Sequence, residues 1–270
     1  MSRDEERKIM SSTPVALDVL RSGSCTGTPV VLLHPVGLRA EAWTRLAALM
    51  QPRPVLVPSL RGHGSSPAAP EPWTVRDLAA DVHAVLSHAG RGPANVVGLS
   101  LGGMVAQQLA IDHPGDVRSL VLIGTTGGVS PPVDDVLRER GRRALEGGMD
   151  AVVDEPIARW FPASARTGPV ATRIAQWLRS NDPSCWAATW EAMAGFNVWT
   201  QLAGVDVPTL VLAGDADSSM PPEVGRALAA ALPDSHLQIV AGAGHVAALE
   251  DPERFAKLIG DFLGQHGEAR

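Results

Sequence analysis

The chain has no tyrosine, only two cysteines, and no apolar run near the roughly 18 residues that a membrane helix needs. Cys25 and Cys185 lie far apart and outside any metal-ligand spacing, so they read as two ordinary thiols. The first ten residues are charged and lack an apolar stretch, so no secretory signal is expected there. A cytoplasmic setting and no membrane association are the corresponding expectations. Basic residues are also in deficit: 23 Lys and Arg against 29 Asp and Glu give a formal net charge of −6. That balance disfavours a nucleic-acid footprint, which needs a basic surface. An anionic substrate stays open, because a pocket can be locally basic on an acidic protein. There is no phosphate loop, no dinucleotide fingerprint after a first strand and no metal-ligand cluster. Neither a cofactor nor a metal is expected. The missing tyrosine has no physical account.

What is present is an ordinary globular composition: 270 residues, 45% hydrophobic and 19% charged. The length suits one domain with an insertion, or two small domains. A core of this size buries most of its apolar surface without cross-links. A homodimer stays open.

Short apolar runs alternate with helical patterns. The runs 30–33, 55–57, 95–99 and 120–123 read as strands. The segment 40–50 has helical periodicity, with Trp43, Leu46, Ala47 and Met50 on one face. Thr74 caps a helix over 75–89, with Asp77 at its third position. A further helix spans 101–113, ahead of Pro114. This alternation implies a parallel sheet covered on both faces. It breaks after Gly127-Gly128. From 129 to about 203 the patterns are helical, with five of the seven tryptophans: Trp160, Trp177, Trp186, Trp190 and Trp199. Strands 209–212 and 237–240 and helices 222–232 and 252–263 follow. The expected division is a core of residues 1–127 and 204–270, with a helical cap at 128–203.

The strongest chemical signal is Gly98-Leu99-Ser100-Leu101-Gly102. A bare G-x-S-x-G is weak. Here it follows an apolar strand directly and opens a helix, the context in which a sharp turn strains the serine and exposes its hydroxyl. A serine hydroxyl needs a base. His245, in Gly242-Ala243-Gly244-His245, follows a strand and lies at the same sheet edge as Ser100, where ligands gather in open α/β sheets. His83, His88, His113 and His236 read as solvated residues on helices or at their ends, and His34 as a residue shaping its loop. Asp217, after the strand 209–212, is the candidate to orient the base. Asp215, two residues earlier, competes with it. The alternative acid position, Gly124-Thr125-Thr126, carries no carboxylate. For an oxyanion the candidate donors are the N–H groups of Leu101 and of Val36, since Pro35 has none to give.

These residues, in the order Ser, Asp, His, resemble the α/β-hydrolase superfamily over about 15–263. HPVG resembles its oxyanion loop. PSLRGHGSS resembles its D-x-R-G-x-G-x-S turn, with Ser59 where aspartate is common. GDADSSMPPE matches its acid loop at Asp217 and Pro221, and GAGHVAALEDPE its histidine loop at His245. The resemblance implies an α/β-hydrolase fold, mostly parallel, with a helical cap. Members with an aspartate nucleophile are disfavoured because serine holds the elbow. Within the superfamily the chain is most similar to 3-oxoadipate enol-lactonases, through GLSLGGMVAQQLA, ARWFP, VPTLVLAGDADSSMPPE and IVAGAGHVAALEDPE. Its HPVG loop departs from the serine-asparagine stretch of those lactonases. The implied chemistry is acyl-enzyme hydrolysis of a small ester or lactone. Arg159 and Trp160 of ARWFP are then candidate substrate contacts, and most of the other cap tryptophans pack helices together. A carboxylesterase, a thioesterase and a carbon–carbon bond hydrolase share the core, as do biosynthetic cyclases and non-catalytic binding proteins.

Overall fold

The computed structural model describes residues 13–24, 26–69, 72–90 and 92–266. Seven strands form one sheet in the order β1-β3-β2-β4-β5-β6-β7. They are β1 (Val19–Ser22), β2 (Val30–Leu33), β3 (Val55–Pro58), β4 (Ala94–Leu99), β5 (Val117–Ile123), β6 (Thr209–Gly214) and β7 (Ser235–Val240). All pairings are parallel except β1 with β3. Strands β2, β3, β4 and β6 are buried along their whole length. Their largely apolar residues, without regular polar alternation, suit strands covered on both faces.

Helix α1 (Thr44–Leu49) joins β2 to β3, α2 (Val75–Ala89) joins β3 to β4, and α3 (Leu101–Asp112) joins β4 to β5. The chain runs outward from β2 to β3 and then back across the sheet. Right-handed crossovers therefore put α1 on one face and α2 and α3 on the other. The order reverses between β2 and β4, so the loops after these strands diverge and leave a crevice at their carboxyl ends. Thr74 and Asp77 form a reciprocal capping box at the start of α2, and Gly90 ends it at φ 60°.

Between β5 and β6 run α4 (Pro131–Gly147), α5 (Asp154–Trp160), α6 (Pro169–Arg179) and α7 (Pro183–Ala194). Helices α4 and α7 pack closely together. Where this helical stretch leaves and rejoins the sheet, two backbone bonds tie its ends: Val129 N–H to Phe196 O (3.0 Å) and Val198 N–H to Gly127 O (2.7 Å). The chain closes with α8 (Pro222–Ala231), α9 (Ala247–Glu250) and α10 (Pro252–His266). Among the described residues no helix is long and apolar enough to cross a membrane.

Three sequence expectations need correction. The 40–50 helix opens as a 3-10 turn, Ala40–Trp43, before α1, because Trp43 sits near φ −93° and ψ 1°, outside α-helical values. His236 is a residue of β7, not of a helix end, because that strand starts two residues earlier than its apolar run. Strand β1 was not foreseen: it is a four-residue edge strand whose only strongly apolar residues are Val19 and Leu20. Cys185 is buried in α7, while Cys25 lies outside the described residues.

The loops after β2 and β3 are cross-braced. Leu60 N–H donates to His34 Nε2 (2.9 Å), and Gly37 N–H donates to His63 Nε2 (3.0 Å). The Nδ1 atoms face the carbonyls of Pro35 and Arg61, both at 2.9 Å. Nε2 must accept and Nδ1 must donate, so both rings are neutral Nδ1–H tautomers. Burial holds His34 well below the usual histidine range and lowers His63 to about 4. Beside them Arg61 is fully buried against Asp81, with Nε–Oδ2 at 2.6 Å and Nη2–Oδ1 at 2.8 Å. Burial pushes the Asp81 carboxyl up, and the Arg61 hydrogen bonds oppose that shift.

Two outcomes are expected. Asp81→Asn leaves Arg61 buried without its counter-charge and should cost about 3–5 kcal/mol in urea unfolding. An unchanged midpoint would contradict the pair's role. His63 binds protons more weakly folded (about 4) than unfolded (about 6.5), so its contribution is complete above pH 6.5 and fades as pH falls toward 4. Unfolding free energy measured over that window should drop less steeply in His63→Gln than in the parent.

Candidate active site

Strand β4 ends at Leu99 and α3 begins at Leu101, so Ser100 alone makes the turn. It takes φ 54° and ψ −115°, and no other non-glycine described residue has positive φ. Such a conformation costs about 1–3 kcal/mol and persists only where its surroundings enforce it. Glycines make the turn sterically feasible. A Cβ on Gly98 would meet Gly102 O at 2.2 Å, and one on Gly102 would meet Leu33 O at 2.2 Å. Ser100 N–H donates to Ile123 O (2.9 Å), and Thr125 Oγ1 donates to Ser100 O (2.8 Å). The serine is thereby fixed by β5 on one side and packed tightly against β2 on the other.

His245 and Asp217 are both buried, and His245 Nδ1 lies 2.8 Å from Asp217 Oδ2. The other oxygen, Oδ1, accepts from the N–H groups of Ser219 (2.8 Å) and Met220 (2.9 Å). These bonds leave Oδ2 for the imidazole. Asp215, the competing aspartate, is exposed and accepts from Gly242 N–H at 2.6 Å, bracing the start of the histidine loop. Hydrogen bonding thus separates two carboxylates that spacing could not. Gly124 is also required here: a Cβ on it would stand 3.2 Å from Asp217 Oδ2 and 3.3 Å from His245 Nδ1. Ser100 and His245 line one cavity of about 300 Å³. No bond from Ser100 Oγ to His245 is formed, and such bonds often tighten only when substrate binds.

Val36 lines the same cavity. It sits in a turn closed by Leu38 N–H to Pro35 O (3.2 Å), with Gly37 at φ 75°. A positive φ at that third position calls for glycine. Neither Val36 N–H nor Leu101 N–H has an acceptor among the described residues. Leu101 is the first residue of α3, whose amino-terminal N–H groups and dipole favour negative charge.

Helix α5 carries Arg159 and Trp160, and both line the cavity. Trp160 O accepts His245 N–H (3.1 Å), and its ring lies 5.9 Å from the imidazole. Arg159 is half-buried, with Nη1 3.5 Å from Glu155 Oε1. The sequence reading missed Arg140 of α4. It is 12% exposed, pairs through Nε with Glu155 Oε1 (2.8 Å), and stacks 4.9 Å from the Trp190 ring centroid. Only the arginine-rich RERGRRALEGG hinted at it, and that run has no internal mark for the inward-facing member. Trp190 lines the cavity as well, while Trp186 packs edge-on against it at 5.5 Å. Trp177 and Trp199 pack against the core and stay off the cavity lining.

One group of three ligand-type residues occurs among the described residues: His83, His113 and Asp116. It lies beside the start of β5, at the sheet edge opposite Ser100. His83 pairs with Asp116 at 2.5 Å and stacks on His113 at 3.8 Å, only 5° from parallel, so these are paired rather than freely solvated histidines. Imidazoles bind metals in the ring plane, so two parallel planes cannot both aim at one ion as arranged.

Comparison with known proteins agrees with this architecture. The chain is 25% identical over 249 residues to 3-oxoadipate enol-lactonase 2 of Acinetobacter baylyi, covering 91% of this chain and 92% of that one. The enol-lactonase of Burkholderia xenovorans LB400 superposes with a TM-score of 0.87 at 28% identity, covering 92% and 96% of the two chains. A thermophilic esterase of Thermogutta terrifontis, solved with malate bound, gives a TM-score of 0.86 at 32% identity, covering 93% and 94%. The family model described as the alpha/beta hydrolase family matches residues 30–258, and this chain, a seven-stranded sheet with Ser100 at its elbow, belongs to that family.

Proposed function

We propose that the protein is a serine hydrolase that opens a small lactone or ester through an acyl-enzyme, most similar in activity to a 3-oxoadipate enol-lactonase. The observation that carries the proposal is one cavity lined by the strained Ser100 and by His245, whose Nδ1 is bonded to Asp217. Asp217 keeps the proton of His245 on Nδ1, which leaves Nε2 to accept the Ser100 proton. Ser100 Oγ then attacks the carbonyl carbon. The oxyanion is received by Val36 N–H and Leu101 N–H, which have no other acceptor among the described residues. His245 returns the proton to the leaving oxygen, and water repeats the sequence to release the acid. For an enol-lactone the leaving enol remains attached and becomes a ketone.

Residues 128–203 act as a cap that sets specificity. Its contribution to the cavity is an apolar wall, including Leu137, Trp160 and Met193, with Arg140 and Arg159 set into it. Glu155 pairs with both arginines and with Arg143, so its single charge leaves this wall net positive. A compact apolar body bearing a carboxylate fits that balance, with Arg159 as the clamp. The esterase relative supports a second reading, hydrolysis of simple esters.

Ser100→Ala should lower turnover by roughly 10³-fold or more and leave the fold intact. The check is steady-state hydrolysis of 3-oxoadipate enol-lactone, neutral lactones, aryl esters and an acyl thioester. A strong preference for the enol-lactone supports the lactonase reading, and activity confined to aryl esters replaces it with the esterase reading. Near-parental activity of Ser100→Ala sinks the mechanism. Arg159→Ala should raise the Michaelis constant for a carboxylated lactone about ten-fold or more, the scale of a hydrogen bond to a charged group, and spare neutral esters. An unchanged constant removes the clamp.

A further inference from the structure

The Val36 N–H group belongs to a chain segment whose successive peptide planes are each held by a different part of the molecule. A peptide unit is rigid and planar, and in the trans form its C=O and N–H point in opposite directions. The Pro35–Val36 unit is held at its carbonyl: Pro35 O accepts from His34 Nδ1 at 2.9 Å. Val36 N–H therefore points away from His34. The Val36–Gly37 unit is held at its amide, which donates to His63 Nε2 at 3.0 Å. The Gly37–Leu38 unit is held at both ends: Asn181 Nδ2 donates to Gly37 O at 2.8 Å, and Leu38 N–H donates to Pro35 O at 3.2 Å, the carbonyl of the unit that carries Val36 N–H. His34 and His63 come from loops of the sheet domain. Asn181 comes from the turn between α6 and α7.

Gly37 is the weak link of the three. Its φ of 75° and missing side chain let the flanking planes rotate at little cost. Both of its backbone groups are in fact occupied, one by the sheet domain and one by the helical segment. The contact is close as well: a Cβ on Gly37 would stand 2.6 Å from both Leu178 and Trp186. Asn181 is itself fixed, since Nδ2 also faces Trp177 O (3.1 Å) and Leu178 O (3.2 Å) at the end of α6.

We infer that Asn181 is a positioning residue for the oxyanion hole: through Gly37 O it couples the seating of the helical segment to the aim of Val36 N–H. This rests on the proposed role of Val36. When the segment is seated, all three planes are fixed and the donor is preorganised. Without Asn181 the Gly37–Leu38 unit is held only through Leu38 N–H on Pro35 O, and the aim of Val36 N–H, which shares its peptide unit with Pro35 O, loosens with it.

The test compares the parent with Asn181→Ala and Asn181→Asp, using p-nitrophenyl acetate and a trifluoromethyl ketone, whose serine adduct places an oxyanion in the hole. Both variants should lose about five- to ten-fold in kcat, with KM within two-fold. Ketone affinity should fall by the same factor as kcat. Arg179→Ala, which breaks the exposed pair with Asp150 inside the helical segment and leaves both Gly37 and the segment's contacts with the sheet loops untouched, should keep the parental kcat. Thermal melting checks that every variant is folded. A KM increase at constant kcat, or unchanged ketone affinity, overturns the coupling, as does an Arg179→Ala defect equal to that of Asn181→Ala. Failure of the underlying reading looks different: the parent then hydrolyses no ester, or Ser100→Ala hydrolyses it as well as the parent, and the inference falls with it.

Discussion

A single backbone conformation organises this protein. Ser100 at φ 54° turns the chain from the end of β4 straight into α3. The turn is strained, and its cost of about 1–3 kcal/mol is small beside the burial of the four apolar strands around it. What it requires is room. Gly98 and Gly102 supply that room where α3 presses against Leu33 of β2. The same tight packing leaves Leu101 N–H at the start of a helix with no acceptor of its own among the described residues. Strain, close packing and an available donor are one structural event, and the proposed chemistry uses all three.

Around this turn, several charged or ionisable groups are buried in neutral or paired form. His34 and His63 are kept neutral by burial and spend both ring nitrogens on backbone groups. Arg61 is neutralised by Asp81. Asp217 divides its oxygens between two amides and His245. A buried polar network is favourable only when its members are satisfied, and each of these groups has found partners. The N–H groups of Val36 and Leu101 differ: neither has an acceptor among the described residues. An unsatisfied pair of donors beside a strained serine is the arrangement that oxyanion stabilisation calls for.

Much of the sheet was legible because its strands are locally redundant. Val96, Val97 and Leu120 are apolar whichever face they point to, so a short β-branched or leucine run marks the strand by itself. The capping box at Thr74 and the Pro114 stop marked helix ends equally well. Strand β1 was hidden because its four residues, VLRS, carry no such run and gain their order from pairing with β3. The candidate serine, aspartate and histidine stood out through their neighbours in sequence: glycines around the elbow, and strand ends before each loop. Asp215 and Asp217 were not separable on spacing, because the loop after β6 turns through hydrogen bonds that no local pattern announces. The contacts of Arg140, His63 and Asn181 were hidden for a related reason. Each acts on a residue far away in the chain, and nothing beside them in sequence marks that contact.

Ser100 is proposed as the one serine activated for nucleophilic attack. The most direct measurement is peptide mass spectrometry after treating the folded protein with a fluorophosphonate. A single stoichiometric adduct is expected on Ser100, absent when the protein is unfolded first. An unmodified protein, or an adduct on another residue with Ser100 intact, would contradict it.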